Sequence, residues 1–208
     1  MTYNILHIDS SPLGDNSVSR KFTAKVVEGL KAKHLDAKVI IRDFGNAPLP
    51  HLSGAVIGAF FTPSDKHTDM QAEAIKLSDQ TVAELMVADA IVIGVPMWNF
   101  GIPSALKAWI DHVVRAGKTF KYGTNGPEGL LAPGKKVIVV LSSGGIYSSG
   151  PLAGIEHQAS YMKAALAFLG LKDVTFIRAE GVAMGPDAVK AAMQTAEAQV
   201  TETLQNVA

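Results

Sequence analysis

The chain contains no cysteine. Disulfide scaffolds, thiolate metal sites and thiol redox chemistry are therefore excluded, and any redox work requires a bound cofactor. It also lacks an excess of either charge: 19 Lys and Arg stand against 19 Asp and Glu, a formal net charge of zero. Proteins that neutralise phosphate backbones carry a basic surplus, so nucleic acid is not an expected partner. Long apolar runs are missing; stretches such as 137–141 fall far short of the roughly 20 residues that span a bilayer. Residues 1–9 pass straight into a strand-like run with no basic segment ahead of it. The expectation is no signal peptide, no membrane insertion and a cytoplasmic protein.

Several catalytic motifs are absent as well. There is no GxxxxGK(S/T) loop and no GxGxxG after the first strand, which disfavours nucleoside triphosphates and the usual dinucleotide site. The six histidines, at 7, 34, 51, 67, 112 and 157, form no HExxH motif or close pair, so no metal site is expected. No GxSxG elbow exists to support a serine hydrolase. His7 lies inside a strand-like run and reads as a buried or edge histidine rather than a catalyst.

What is present is globular. The 208 residues are 48% hydrophobic and 18% charged, enough for one domain over 1–208 with a sizeable core. Apolar strand-like runs at 5–8, 39–41, 91–95, 137–141 and 174–177 alternate with segments of helical period. Phe22, Val26 and Leu30 share one helical face, as do Met70, Ala74, Leu77 and Leu85 on a second helix. Leu106, Ile110 and Val113 follow on a third, then Tyr161, Ala165 and Phe168, and finally Val189, Met193, Ala196, Val200 and Leu204. Strict alternation of this kind predicts an α/β fold: a doubly wound five-stranded parallel sheet with helices on both faces. Ligands of such sheets bind outside the carboxyl strand ends, where strand order reverses. Two connections, 44–66 and 116–136, exceed the usual length of about 4–6 residues. They read as lids, interfaces or surface decoration; the second carries Phe120, Tyr122 and the turn signal Asn125-Gly126-Pro127.

Three loops carry the candidate chemistry. After the first strand, Ser10, Ser11, Ser17 and Ser19 cluster where the chain enters a helix. Hydroxyls, free backbone N–H groups and the positive end of a helix dipole suit a phosphate when no lysine supplies charge. Ser17 equally suits a plain N-cap. After the third strand, Pro96-Met97-Trp98-Asn99-Phe100 offers two flat aromatic surfaces and peptide N–H groups around Asn99; both rings could equally be core plugs. After the fourth, Ser142-Ser143-Gly144-Gly145 allows close backbone approach and leaves N–H groups accessible to a ligand edge, or forms a flexible turn.

Ser11-Pro12, Ser17-Val18-Ser19, Pro96-Met97-Trp98-Asn99-Phe100, Val113-Val114-Arg115-Ala116-Gly117-Lys118-Thr119-Phe120, Asn125-Gly126-Pro127-Glu128-Gly129 and Ala179-Glu180-Gly181 together resemble the bacterial FMN-dependent NADH azoreductase and NADH:quinone reductase family. The similarity runs nearly end to end. It implies a flavodoxin-like fold, a homodimer with FMN at the subunit interface, and two-electron ping-pong reduction of quinones and azo compounds by NADH or NADPH. By position, Ser11, Ser17, Val18 and Ser19 would hold the FMN phosphate. Pro96, Met97, Trp98, Asn99 and Phe100 would lie against the isoalloxazine, and Ser142, Ser143, Gly144 and Gly145 along its pyrimidine side. Phe120 and Tyr122 would wall the substrate pocket. No side chain would make or break bonds, because the chemistry belongs to FMN. Trp98 stands where many members have Tyr. Ser143 stands where several have Arg, which leaves the choice between NADH and NADPH open.

The alternative is a flavodoxin-type electron carrier without NAD(P)H oxidase activity of its own. Such carriers are strongly acidic, against the zero charge here. A phosphoacceptor domain of the same topology needs an Asp where Gly94-Val95-Pro96 stands. An interaction scaffold that takes up no flavin is a further alternative.

Overall fold

The computed structural model describes residues 2–207. In chain order the elements are β1 (Asn4–Asp9), α1 (Val18–Lys33), β2 (Lys38–Asp43), α2 (Gly54–Phe61), α3 (Asp69–Val87), β3 (Ala90–Pro96) and α4 (Ser104–Val113). They continue with β4 (Phe120–Gly123), β5 (Gly126–Gly129), β6 (Lys136–Ser143), α5 (Gln158–Phe168), β7 (Val174–Glu180) and α6 (Pro186–Asn206). Five strands form one sheet in the order β2-β1-β3-β6-β7, every neighbouring pair parallel. This is the flavodoxin-like order, with its reversal between β1 and β3.

Burial follows from the two covered faces. The central strands β3 and β6 are buried along almost their whole length because helices pack above and below them. Ile91, Ile93 and Val95 turn to one face, where α3, α4 and α5 supply Leu85, Leu106, Trp109, Met162 and Leu166. Val92, Ile138 and Val140 turn to the other, against Phe22, Val26 and Leu30 of α1 and Ala196 and Val200 of α6. The edge strand β2 is only half-covered. None of the described helices is long and apolar enough to cross a membrane.

Local signals set the helix starts. Ser17 caps α1, accepting from Arg20 N. Thr68 and Gln71 form a capping box at α3. Pro186 opens α6 directly after Gly185.

Three expectations need correction. Residues 44–66 are not a structureless loop, because α2 lies within them, capped by Ser53 and packed against α3. Its sequence Gly-Ala-Val-Ile-Gly-Ala-Phe-Phe has no polar residue, so no amphipathic period announces it. Residues 116–136 likewise contain the antiparallel hairpin β4–β5, closed between Gly123 and Gly126. Met70 is not on the buried face of α3: it is exposed in the first turn, and Ile75, Ser78, Val82 and Leu85 face the core instead.

Gly94 shows how tightly the sheet meets α1 beneath the reversal. A Cβ at this position would lie 2.8 Å from Asp9 Oδ1 and 3.2 Å from Thr23 Cγ2. Asp9 Oδ1 is itself held by the Thr23 hydroxyl at 2.8 Å and cannot retreat freely. Gly94→Ala is expected to destabilise the fold by about 1–3 kcal/mol through overpacking, measured as a lower urea midpoint with unchanged slope.

Candidate functional site

The carboxyl ends of β1, β3 and β6 converge on a cleft of about 360 Å³. Ser11, Leu13, Asn16, Ser17 and Val18 line it from the first loop, Pro96, Met97 and Trp98 from the second, and Ser142, Ser143 and Gly144 from the third. Val182 and Val189 complete the wall, and none of these lining residues carries a formal charge.

The first loop forms the donor end. Ser11 is fully buried, and its Oγ accepts from Leu13 N at 3.3 Å. The Ser17 and Ser19 hydroxyls lie 3.1 Å apart. Val18 and Ser19 begin α1, so their N–H groups have no intrahelical acceptor and sit at the positive end of its dipole. Hydroxyls and free N–H groups at a helix start fit a phosphate without any cationic side chain.

Charged groups lie behind this loop rather than in the cleft. Arg20 Nη1 donates to Asp43 Oδ2 at 2.8 Å, and its Nη2 engages Asp43 Oδ1. The Arg20 hydrogen bond holds the Asp43 carboxyl below its ordinary value of 3.8. Asp9 Oδ2 lies 3.7 Å from Arg20 and 3.2 Å from His7 Nε2. His7 is thus a buried histidine in a polar cluster.

The second loop is a four-residue turn. Trp98 and Gly101 exchange both backbone hydrogen bonds at 3.0 Å. Asn99 and Phe100 between them have φ of 46° and 70°, the left-handed pair that a type I′ turn requires. Asn tolerates that region, whereas Phe does not, and strain of this kind concentrates at ligand-binding sites. Met97 N donates to the Ser142 carbonyl at 2.7 Å, and Gln158 Nε2 to the Val95 carbonyl at 2.8 Å, so the turn stands on both β6 and α5. Trp98 is left 46% exposed. It separates the first cleft from a second of about 470 Å³, lined among others by Pro12, Phe44, Pro48 and Asn99.

The third loop is fastened to the segment after β7. Gly181, Val182 and Ala183 donate to the carbonyls of Gly145, Ser143 and Gly144 at 3.0, 3.1 and 3.0 Å. Glu180 Oε1 accepts from Tyr147 N and Ser148 N, each at 2.8 Å.

The structure therefore brings Ser11, Ser17, Val18, Pro96, Met97, Trp98, Ser142, Ser143 and Gly144 together around one cleft. Ser19 is buried beside Ser17, and Asn99 lies across Trp98 in the second cleft. Phe100 meets the Tyr147 ring edge-on at 6.3 Å. Gly145 stands behind the wall, its carbonyl taken by Gly181 N and, at 2.8 Å, by the Ser143 hydroxyl. Phe120 and Tyr122 line neither cleft within the chain. Phe120 is buried with its ring 4.7 Å from Phe168, while Tyr122 is 77% exposed on the hairpin. Leu13, Asn16 and Val182 carry no chemical signature in the sequence, and Val189, expected on the core face of the last helix, instead lines the cleft from the first turn of α6. Among the described residues no cluster of three or more metal-ligating side chains occurs.

Two measurements follow from this geometry. Phe100→Gly is expected to be more stable than Phe100→Ala by about 1 kcal/mol, since both lose the ring and only glycine avoids the left-handed penalty. Urea denaturation of the two variants checks it. A carboxyl whose folded pKa is depressed stabilises the fold above its unfolded pKa and loses that contribution as pH falls through the folded one. The stability advantage of wild type over Asp43→Asn should therefore be complete above pH ~4 and shrink below it, as read from melting temperatures across an acid series.

A family model described as "Flavodoxin-like fold" matches residues 3–204. An FMN-dependent NADH:quinone oxidoreductase of Herminiimonas arsenicoxydans is 50% identical over 96% of this chain and 98% of its own length. Among solved structures, azoreductase from Bacillus anthracis str. Sterne superposes with a TM-score of 0.88 at 28% identity, covering 98% of this chain and 99% of that one. An FMN-dependent NADH-azoreductase from Bacillus anthracis str. Ames Ancestor, in complex with FMN, gives 0.85 at 27% identity over 97% and 99% of the two chains. The chain belongs to the flavodoxin-like family, among relatives named FMN-dependent NADH:quinone oxidoreductases.

Proposed function

We propose that this protein is an FMN-dependent NAD(P)H:quinone oxidoreductase that also reduces azo compounds. The observation that carries the proposal is the uncharged cleft running from the first turn of α1 to Trp98 and Gly144. Its phosphate end offers hydroxyls and unpaired N–H groups. Its other end offers a flat apolar wall and a strip of glycine backbone.

Ser11, Ser17, Val18 and Ser19 would hold the phosphate. Pro96, Met97, Trp98, Asn99 and Phe100 would flank the ring, and Ser142, Ser143 and Gly144 would line its pyrimidine edge, with Gly145 bracing that strip from behind. FMN, when bound, supplies the two-electron chemistry, taking hydride from NADH or NADPH and passing electrons to a quinone or azo acceptor. The protein binds and orients. The turn at Trp98 excludes water from one side, and backbone N–H groups near Gly144 stabilise negative charge as it develops on the cofactor edge. No side chain acts as a nucleophile.

The whole chain, 1–208, works as one domain in this proposal, in the cytoplasm, where NADH is supplied. Tyr122 reaches a substrate pocket only if two copies pair so that the β4–β5 hairpin of one covers the cleft of the other. A homodimer of that kind also covers the exposed rings of Trp98 and Phe100.

The purified protein should carry a flavin spectrum and oxidise NADH rapidly with a quinone and with an azo dye. Gly144→Leu should lose most bound flavin while keeping its circular dichroism, because a Cβ there would lie 3.2 Å from Ala183 Cβ and the larger side chain must displace the loop that lines the cleft. A flavin-loaded protein that oxidises NADH only slowly with every acceptor would instead be an electron carrier. A protein that takes up no FMN would overturn the proposal.

A further inference from the structure

We propose that Arg20 is a positioning residue for the FMN phosphate, acting through the loop after β1 rather than by touching the anion. This rests on the flavin reading of the cleft given above. Arg20 lies in the first turn of α1, one residue beyond the Ser17-Val18-Ser19 cradle, yet it is not part of the cleft wall. Its side chain is 15% exposed and folds back beneath the loop. Nε and Nη2 both donate to the Ser11 carbonyl, at 3.1 and 2.8 Å. Nη1 donates to Asp43, whose carboxylate also accepts from Gly45 N at 3.1 Å and from Asn46 N at 3.2 Å. The backbone of the same residue donates to Ser17 Oγ at 3.3 Å and so completes the helix cap.

One residue thus joins the loop after β1, the start of α1 and the turn after β2. The packing leaves little slack: a Cβ at Gly45 would lie 2.0 Å from the Ser11 carbonyl oxygen. A carbonyl oxygen turned towards a phosphate would repel it. Two guanidinium donors occupy this one, so hydroxyls and N–H groups face the cleft. Charge argues the same way. Asp9 and Asp43 together carry two negative charges behind the anion site, and Arg20 is the cation between them. Removing the guanidinium loosens the loop and uncovers that negative charge, and both effects act on the phosphate rather than on the ring.

The test compares FMN with riboflavin, which lacks only the phosphate, by quenching of flavin fluorescence on titration into apo-protein. Wild type should prefer FMN. Arg20→Met should bind FMN roughly 10- to 100-fold more weakly, the scale of losing hydrogen bonds to a charged group. Its riboflavin affinity should stay within roughly threefold, about 0.7 kcal/mol or less. Equal weakening of both ligands, or no change in either, would mean that Arg20 supports the fold alone and would overturn the inference. Arg20→Gln retains a donor for Ser11 and serves if Arg20→Met does not fold: a fallen FMN-to-riboflavin ratio supports the inference, an unchanged ratio overturns it. A wild-type protein without preference for FMN would overturn the phosphate reading of the cleft and this inference with it. A wild type that prefers FMN, with variants whose ratio is unchanged, overturns this inference alone.

Discussion

Parallel strands cannot be joined by a tight turn, so each strand of this sheet hands the chain to a segment that crosses one face and returns. That constraint places the site. The connection leaving β1 crosses by α1 on one face of the sheet, and the connection leaving β3 crosses by α4 on the other. The loops after β1 and β3 therefore part company at their carboxyl ends, although their strands are hydrogen-bonded neighbours. A crevice opens between them without any side chain having to keep it open. The same geometry aims the first turn of α1 at that crevice, so the strongest anion-binding element comes with the topology.

Electrostatics then divides the labour. The cleft itself is lined by neutral groups; Asp15 stands exposed in the donor loop, and a charged cluster around Arg20 packs behind that loop. A partly buried cluster of two carboxylates and one guanidinium costs desolvation that its hydrogen bonds must offset. The Ser11 carbonyl, the Thr23 hydroxyl and the Asn46 backbone each take part. Such a cluster is poorly explained as a source of stability alone. Under the proposed function it lies beneath the loop that would hold an anion, which makes geometric control its better use.

How much of this was legible in the sequence differs by element. The five strands of the sheet and the flanking helices were, because both-face burial leaves unbroken apolar runs such as 91–95 and amphipathic helices such as α1. The three loops were legible because position after a strand and unusual composition coincide there. Helix α2 was not, since a segment without polar residues has no period to detect. The hairpin β4–β5 gave only its turn signal; with glycine at both ends of β5 its strands carry no alternation. Tertiary placement was the least legible. Nothing local distinguishes Tyr122, exposed, from Phe120, buried two residues away, and nothing marks Val182 and Val189 as cleft walls.

Exposure along the cleft separates its two ends physically. At the hydroxyl-rich end Ser11, Ser17 and Ser19 are almost completely buried, and the loop is pinned from behind. At the other end Trp98 and Phe100 remain roughly half exposed, held on a backbone turn that places two non-glycine residues in the left-handed region. Large apolar side chains held in water by a strained turn are stabilised by whatever later covers them. Under the proposed function that cover is a flat ring, a flat acceptor and the hairpin of a second copy. On that proposal, a site with a rigid polar end and an uncovered apolar end would hold its cofactor through the phosphate. It would meet successive reactants through shape and stacking alone, which suits a protein that receives electrons from one partner and gives them to another at the same face.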